Sequence, residues 1–194
     1  MAELLTLDDI ADSRAYERER ADFRAHVISL KKRRRVSVGP FLTLVFECRD
    51  TIRFQIQEMA RAERIVTDEG IQVELDVYNP LLPTDGRLSA TMFLELTSDE
   101  MLREWLPQLV GIERAVELRV GEHRIPSVPE AGHESQLTRE EITAAVHYVQ
   151  FELTPDQIDA LADADVALAT THPAYQHVTA LGADTVAELV HDLA

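Results

Sequence analysis

The chain is 194 residues long, 45 % hydrophobic and 28 % charged, with a formal net charge of −16 at pH 7. That composition is globular rather than disordered, and the length suffices to bury a core without disulfide or metal staples. Cys48 is the single cysteine, which excludes an internal disulfide and any multi-cysteine zinc or iron–sulfur site, and no run approaches the ~20 apolar residues of a bilayer span.

The acidic, mixed-charge start "MAELLTLDDIADSRAYERER" is unlike a signal peptide, so a cytoplasmic protein is expected. Residues 8–34 read as a long helix in which Phe23, Val27 and Leu30 fall at helical spacing. It closes on five consecutive cations, Lys31 to Arg35, which the helix dipole favours at a C-terminus. Leu42, Leu44, Phe46 and Cys48 then alternate with Thr43, Val45 and Glu47, and a second alternation carries Ile52, Phe54 and Ile56. The pair reads as a β-hairpin whose three-residue loop, Cys48 to Asp50, keeps both apolar sets together and makes Glu47 and Arg53 diagonal neighbours.

Helical spacing resumes in Met59, Ala62 and Val66, with Gln57, Arg61 and Arg64 on another face, and again over residues 68–79. "GRLSATMFLEL" is a strand with Leu88, Ala90, Met92, Leu94 and Leu96 on one face. Thr97 and Glu100 fit a capping box that opens a helix to about Leu109, and "VELRVGEHRI" reads as a hairpin around Gly121-Glu122. Residues 127–138 are a candidate linker between an N-terminal part and a smaller C-terminal part of one 194-residue domain. Residues 146–153 read as a strand, "TPDQ" as a helix start at Thr154, residues 166–181 as two strands around His172-Pro173, and residues 183–193 as a last helix. Without a βαβ rhythm these elements predict an α+β fold: a mostly antiparallel sheet with packed helices, the long N-terminal helix leading into a β-hairpin.

Phosphate-cradling, nucleophile-elbow and HExxH motifs are absent. Residues 14–64 carry 13 Lys and Arg against 7 Asp and Glu, and the rest of the chain 6 against 28. The acidic remainder argues against nucleic acid, whose phosphates it would repel. The candidate ligand-binding set is basic and polar: Lys31, Lys32, Arg33, Arg34, Arg35, Arg49, Arg53, Gln57 and Arg61, a source of forked donors for carboxylate or phosphate. Glu47, Asp50, Glu58 and Glu63 are interleaved with it, so an internal ion-pair network is the competing reading. Cys48 reads as a packed, inert thiol. No metal site is expected, because His147, His172 and His177 match no ligand spacing.

"LKKRRRVSVGPFLTLVFECRDTIRFQIQEMARAERI", "VYNPLLP", "GRLSATMFLEL", "AAVHYVQFEL" and "HPAY" together resemble the bacterial family called domain of unknown function 3501, over nearly the full chain. That resemblance implies no established activity, cofactor or catalytic residue. Family genes often neighbour those of rubrerythrin and of a cysteine-rich iron–sulfur oxidoreductase, which implies a place beside peroxide or electron-transfer chemistry and a redox protein partner. Family members carry Asn at the position of Cys48, which speaks against a shared catalytic thiol. Two functions stand. One is an accessory protein whose basic patch binds an anionic small molecule or an acidic protein surface. The other is a metal-dependent or acid–base enzyme acting on a small anionic substrate, using Glu47, Glu58, His147 or His172.

Overall fold

Asp12 opens the first helix, its carboxylate accepting hydrogen bonds from the Arg14 and Ala15 amides at 2.8 and 2.9 Å. Helix α1 spans Ser13–Arg34 in the computed structural model, which describes residues 4–84, 86–132 and 142–193. It starts later than the spacing predicts, and Leu7–Asp9 form a separate 3-10 turn. The buried positions of α1 are Tyr16, Val27, Leu30 and Arg34, one stripe of the helical period.

Strands β1 (Arg35–Val38) and β2 (Leu42–Phe46) follow as an antiparallel hairpin. Its turn is fixed from a distance by Tyr175, whose hydroxyl donates to the Val38 carbonyl at 2.7 Å and accepts from the Phe41 and Leu42 amides at 3.2 Å. Gly39 sits beneath that hydroxyl at φ +74°, where an added Cβ would lie 2.5 Å from it. The tyrosine of "HPAY" thus ties the C-terminal part of the chain to the first hairpin.

The expected second strand at residues 52–56 is instead part of helix α2, Arg49–Glu63. Ile52 and Ile56 satisfy a period of two, but with Ala60 they also satisfy i, i+4, and all three are buried. Thr51 decides the matter by capping: its hydroxyl accepts from the Cys48 amide at 2.9 Å. Phe54 turns away to meet Phe23 of α1 edge-on, with centroids 5.8 Å apart. The hairpin is therefore built one strand earlier, around Gly39-Pro40.

Helix α3 spans Asp68–Tyr78, strand β3 Arg87–Leu94 and helix α4 Asp99–Gln108. Ser98 caps α4 by accepting from the Met101 amide at 3.2 Å, one residue beyond the expected Thr97. Strands β4 (Val116–Val120) and β5 (His123–Pro126) form the second expected hairpin. The chain then crosses between sheets at Ser127, whose hydroxyl donates to the Glu113 carbonyl at 2.8 Å and accepts from the Val116 amide at 3.2 Å. Val128–Pro129 form β6, so the candidate linker begins inside a sheet, and its residues 133–138 lie outside those described. Strand β7 (Val146–Glu152), helix α5 (Pro155–Leu161), strands β8 (Val166–Thr170) and β9 (Val178–Ala180) and helix α6 (Ala183–Leu193) complete the order.

The fold is α+β, with two antiparallel sheets ordered β1-β2-β3-β7-β6 and β5-β4-β8-β9. Leu44, Met92 and Val149 of the first sheet share one buried cluster with Leu118, Val120 and Leu168 of the second. The opposite face of the first sheet lies under α2 and α3, where Ile52, Ile56, Leu75, Leu81 and Leu82 form a separate core. Both faces of β2 are therefore covered, and all five of its residues are buried. Among the described residues no helix is long and apolar enough to cross a membrane.

Candidate functional site

The basic residues divide between two ends of α1. At its C-terminal end Arg34 is 2 % exposed and reaches α6, donating to both Asp192 oxygens at 2.5 and 2.9 Å and to Glu188 at 2.7 Å. Arg33 holds the other Glu188 oxygen at 2.7 Å, and Arg35 pairs with Glu95 in solvent. Burial pushes Glu188 up, but Arg33 and Arg34 outweigh it and leave its carboxyl lowered. Burial dominates at Asp192, whose carboxyl is raised.

Arg49, Arg53, Gln57 and Arg61 fall on one face of α2 and lace it to α1 and the segment before it. Arg49 meets Asp9 at 2.6 Å, and Arg53 meets the Asp9 carbonyl at 2.7 Å and Glu19 at 2.8 Å while stacking on Phe23. Gln57 exchanges two hydrogen bonds with the Ala11 backbone, and Arg61 meets Glu17 at 2.5 Å. Glu17 and Glu19 stand about 15 residues from Arg33 and Arg34 along α1, a separation of roughly 22 Å at 1.5 Å per residue. The expected convergence of Arg33 to Arg35 with Arg53, Gln57 or Arg61 does not occur, because each group meets nearer carboxylates first. Gln57 and Arg61 line their own cleft of about 330 Å³ with Asp12, Arg14 and Tyr16.

Lys31 goes elsewhere. It lines a second pocket, of about 170 Å³, together with Glu47, Thr51, Gln55, Tyr78, Thr91 and Tyr148. Glu47 follows β2 on the face that Thr43 and Val45 share, and it is 6 % exposed. Its Oε2 accepts from the Thr51 hydroxyl of α2 and its Oε1 from the Thr91 hydroxyl of β3, both at 2.5 Å. The carboxylate also stands at the N-terminus of α2, where the helix dipole favours negative charge. Among the described residues no lysine, arginine or histidine nitrogen stands within 4.0 Å of it. Burial, then Tyr78 and Glu47, raise the Tyr148 hydroxyl, so it remains a neutral phenol at physiological pH.

Sequence reading singled out Lys31 and Glu47 but missed Thr51, Gln55, Tyr78, Thr91 and Tyr148. One signal was available for Thr91: in "GRLSATMFLEL" it alternates off the apolar face, as Glu47 does just after β2.

The other candidates are engaged. Glu58 accepts from Arg20 at 2.8 and 2.9 Å and from the Tyr16 hydroxyl at 2.7 Å, which lowers it to about 2. Cys48 is buried, and burial pushes its thiol up despite the pull of Arg34. His147 is buried against the Thr143 hydroxyl and the Ala144 carbonyl, both at 2.9 Å, and burial lowers its pKa. His172 contacts the Val110 carbonyl at 3.1 Å, while His177 packs on Tyr175. Among the described residues no three His, Cys, Asp or Glu side chains are placed to hold a metal ion.

The sequence matches the family described as "Protein of unknown function (DUF3501)" over residues 4–193. A crystal structure from Burkholderia pseudomallei, described as a novel protein of unknown function, is 38 % identical. It superposes with a TM-score of 0.91, covering 99 % of this chain and 100 % of that one. No curated protein matches.

Proposed function

The chain belongs to the protein family of unknown function DUF3501, and from that premise we propose that it is a binding protein for a small polar molecule held in the Glu47 pocket. One observation carries the reading: a carboxylate only 6 % exposed lines an open pocket while accepting hydrogen bonds from two neutral hydroxyls. A carboxylate has about four acceptor positions, so Glu47 retains capacity for a ligand's donors. The pocket lining also includes Lys31, the member of the cation block that would hold an anionic group of that ligand. The remaining arginines serve the fold, since their forks already hold Glu188, Asp192, Glu19, Asp9 and Glu17.

The place beside peroxide or electron-transfer chemistry that the family resemblance implies is compatible with such a role. It would run through the bound molecule or a partner, because Cys48 is shielded and its thiol is raised. The test is mass spectrometry of small molecules released on denaturing protein isolated gently from its native host. A molecule recovered from the wild type and missing from folded Glu47→Gln supports the proposal. Equal recovery from both, or none from either, opposes it.

A further inference from the structure

We infer that the occupant of the Glu47 pocket is a small amine, its protonated nitrogen seated against the Glu47 carboxylate and an anionic group directed to Lys31, an inference that rests on the pocket being a binding site. Buried carboxylates are ordinarily matched by a cation or a metal, because hydroxyl donors alone leave much of the desolvation cost standing. Glu47 has Thr51 and Thr91 at 2.5 Å and, among the described residues, no cationic nitrogen within ion-pair distance. Arg34 faces the Glu47 backbone carbonyl at 3.5 Å, and its fork is engaged by Asp192 and Glu188. The side chain of Glu47 is thus the half of an ion pair whose other half no described residue supplies within 4.0 Å, although Lys31 lines the same pocket.

The rest of the lining fits the same occupant. Gln55 offers both a donor and an acceptor, and the Tyr148 phenol stays neutral. Lys31 contributes a single positive group, suited to one carboxylate or phosphate on the same ligand. A net charge of −16 draws cations toward the molecule as a whole. A cavity of about 150 Å³ holds benzene, so the 170 Å³ here suits a ligand of about six to eight heavy atoms. The chemical class is a short ω-amino acid or a similar zwitterion.

Calorimetric titration with matched probes tests it. Propylammonium is compared with propanol and β-alanine with hydracrylate, each pair differing only in an ammonium replaced by a hydroxyl. The expected result is that each amine binds at least about tenfold tighter than its hydroxyl partner, one decade being 1.4 kcal/mol. Glu47→Gln removes that preference, and Lys31→Met removes only the advantage of β-alanine over propylammonium. The wild-type comparison needs no variant, so it stands even if Glu47→Gln fails to fold. Hydroxyl probes that bind as tightly as the amines overturn the amine class while leaving the pocket a binding site. Absence of binding by all four probes overturns the inference, and the mass-spectrometric result then tells whether the binding proposal falls with it.

Discussion

Replacing Arg34 by Met separates the roles hidden in the five-cation block. Arg34 is 2 % exposed, and the two carboxylates it holds are 17 % and 5 % exposed, so its removal strands Asp192 and leaves Glu188 with Arg33 alone. Breaking a buried pair in this way costs about 3–5 kcal/mol. At about 2–4 °C per kcal/mol for a chain of this size, Tm falls by roughly 6–20 °C. Met retains the packing of the aliphatic stem, so the loss reports the charge. Arg35→Gln is the control: Arg35 and Glu95 are 45 % and 44 % exposed, and such a pair contributes about 0–1 kcal/mol. Urea unfolding followed by circular dichroism measures both. Adding Glu188→Gln and Asp192→Leu to Arg34→Met should recover most of the loss, because the stranded Asp192 charge goes with its partner and the amide at position 188 can still accept from Arg33. Equal destabilisation by Arg34→Met and Arg35→Gln, or no recovery in the triple variant, would refute the clamp between α1 and α6.

Cys48→Ser should leave small-molecule binding intact and destabilise the fold by about 1–3 kcal/mol, the cost of a hydroxyl in a buried site; in the wild type, iodoacetamide should label Cys48 far more slowly in buffer at pH 8 than in urea. Glu58 is lowered from 4.5 to about 2 by Arg20 and then Tyr16, so its contribution is complete above pH 4.5 and fades as pH falls toward 2. The stability gap between wild type and Glu58→Gln should follow that course in urea titrations at stepped pH. His147 is held below its ordinary value of 6.5 by burial, so the unfolded chain binds its proton first and stability declines as pH falls below 6.5. His147→Asn should flatten that decline, and an unchanged slope would contradict the buried neutral ring.

Much of the fold was legible because local periods and caps agree. The strand "GRLSATMFLEL", the hairpin around Gly121 and the Thr154 cap, where Gln157 accepts from the Thr154 amide at 2.9 Å, all follow from residues near one another in sequence. Helix α2 is ambiguous in sequence because Ile52, Phe54 and Ile56 alternate while Ile52, Ile56 and Ala60 repeat every four; the Thr51 cap favours the helix locally, and Phe23, from a different helix, receives Phe54. The inward turn of Arg34 was available in the sequence, since Val27, Leu30 and Arg34 continue one buried stripe by steps of three and four. Its partners Glu188 and Asp192 were not, because they lie more than 150 residues downstream. The Glu47 pocket was half legible. Strand parity put Glu47 and Thr91 off the apolar faces, but β2 pairs with β3 only after two intervening helices, and no local pattern announces that adjacency.

The most direct test follows the amide NMR spectrum of the protein as the small-molecule fraction of its native host is titrated in. If the Glu47 pocket is the binding site, the amides of Glu47, Thr51 and Thr91 shift, and the same fraction leaves the spectrum of Glu47→Gln unmoved. Shifts confined to Gln57, Arg61 and their cleft, or a spectrum that does not respond at all, would contradict it.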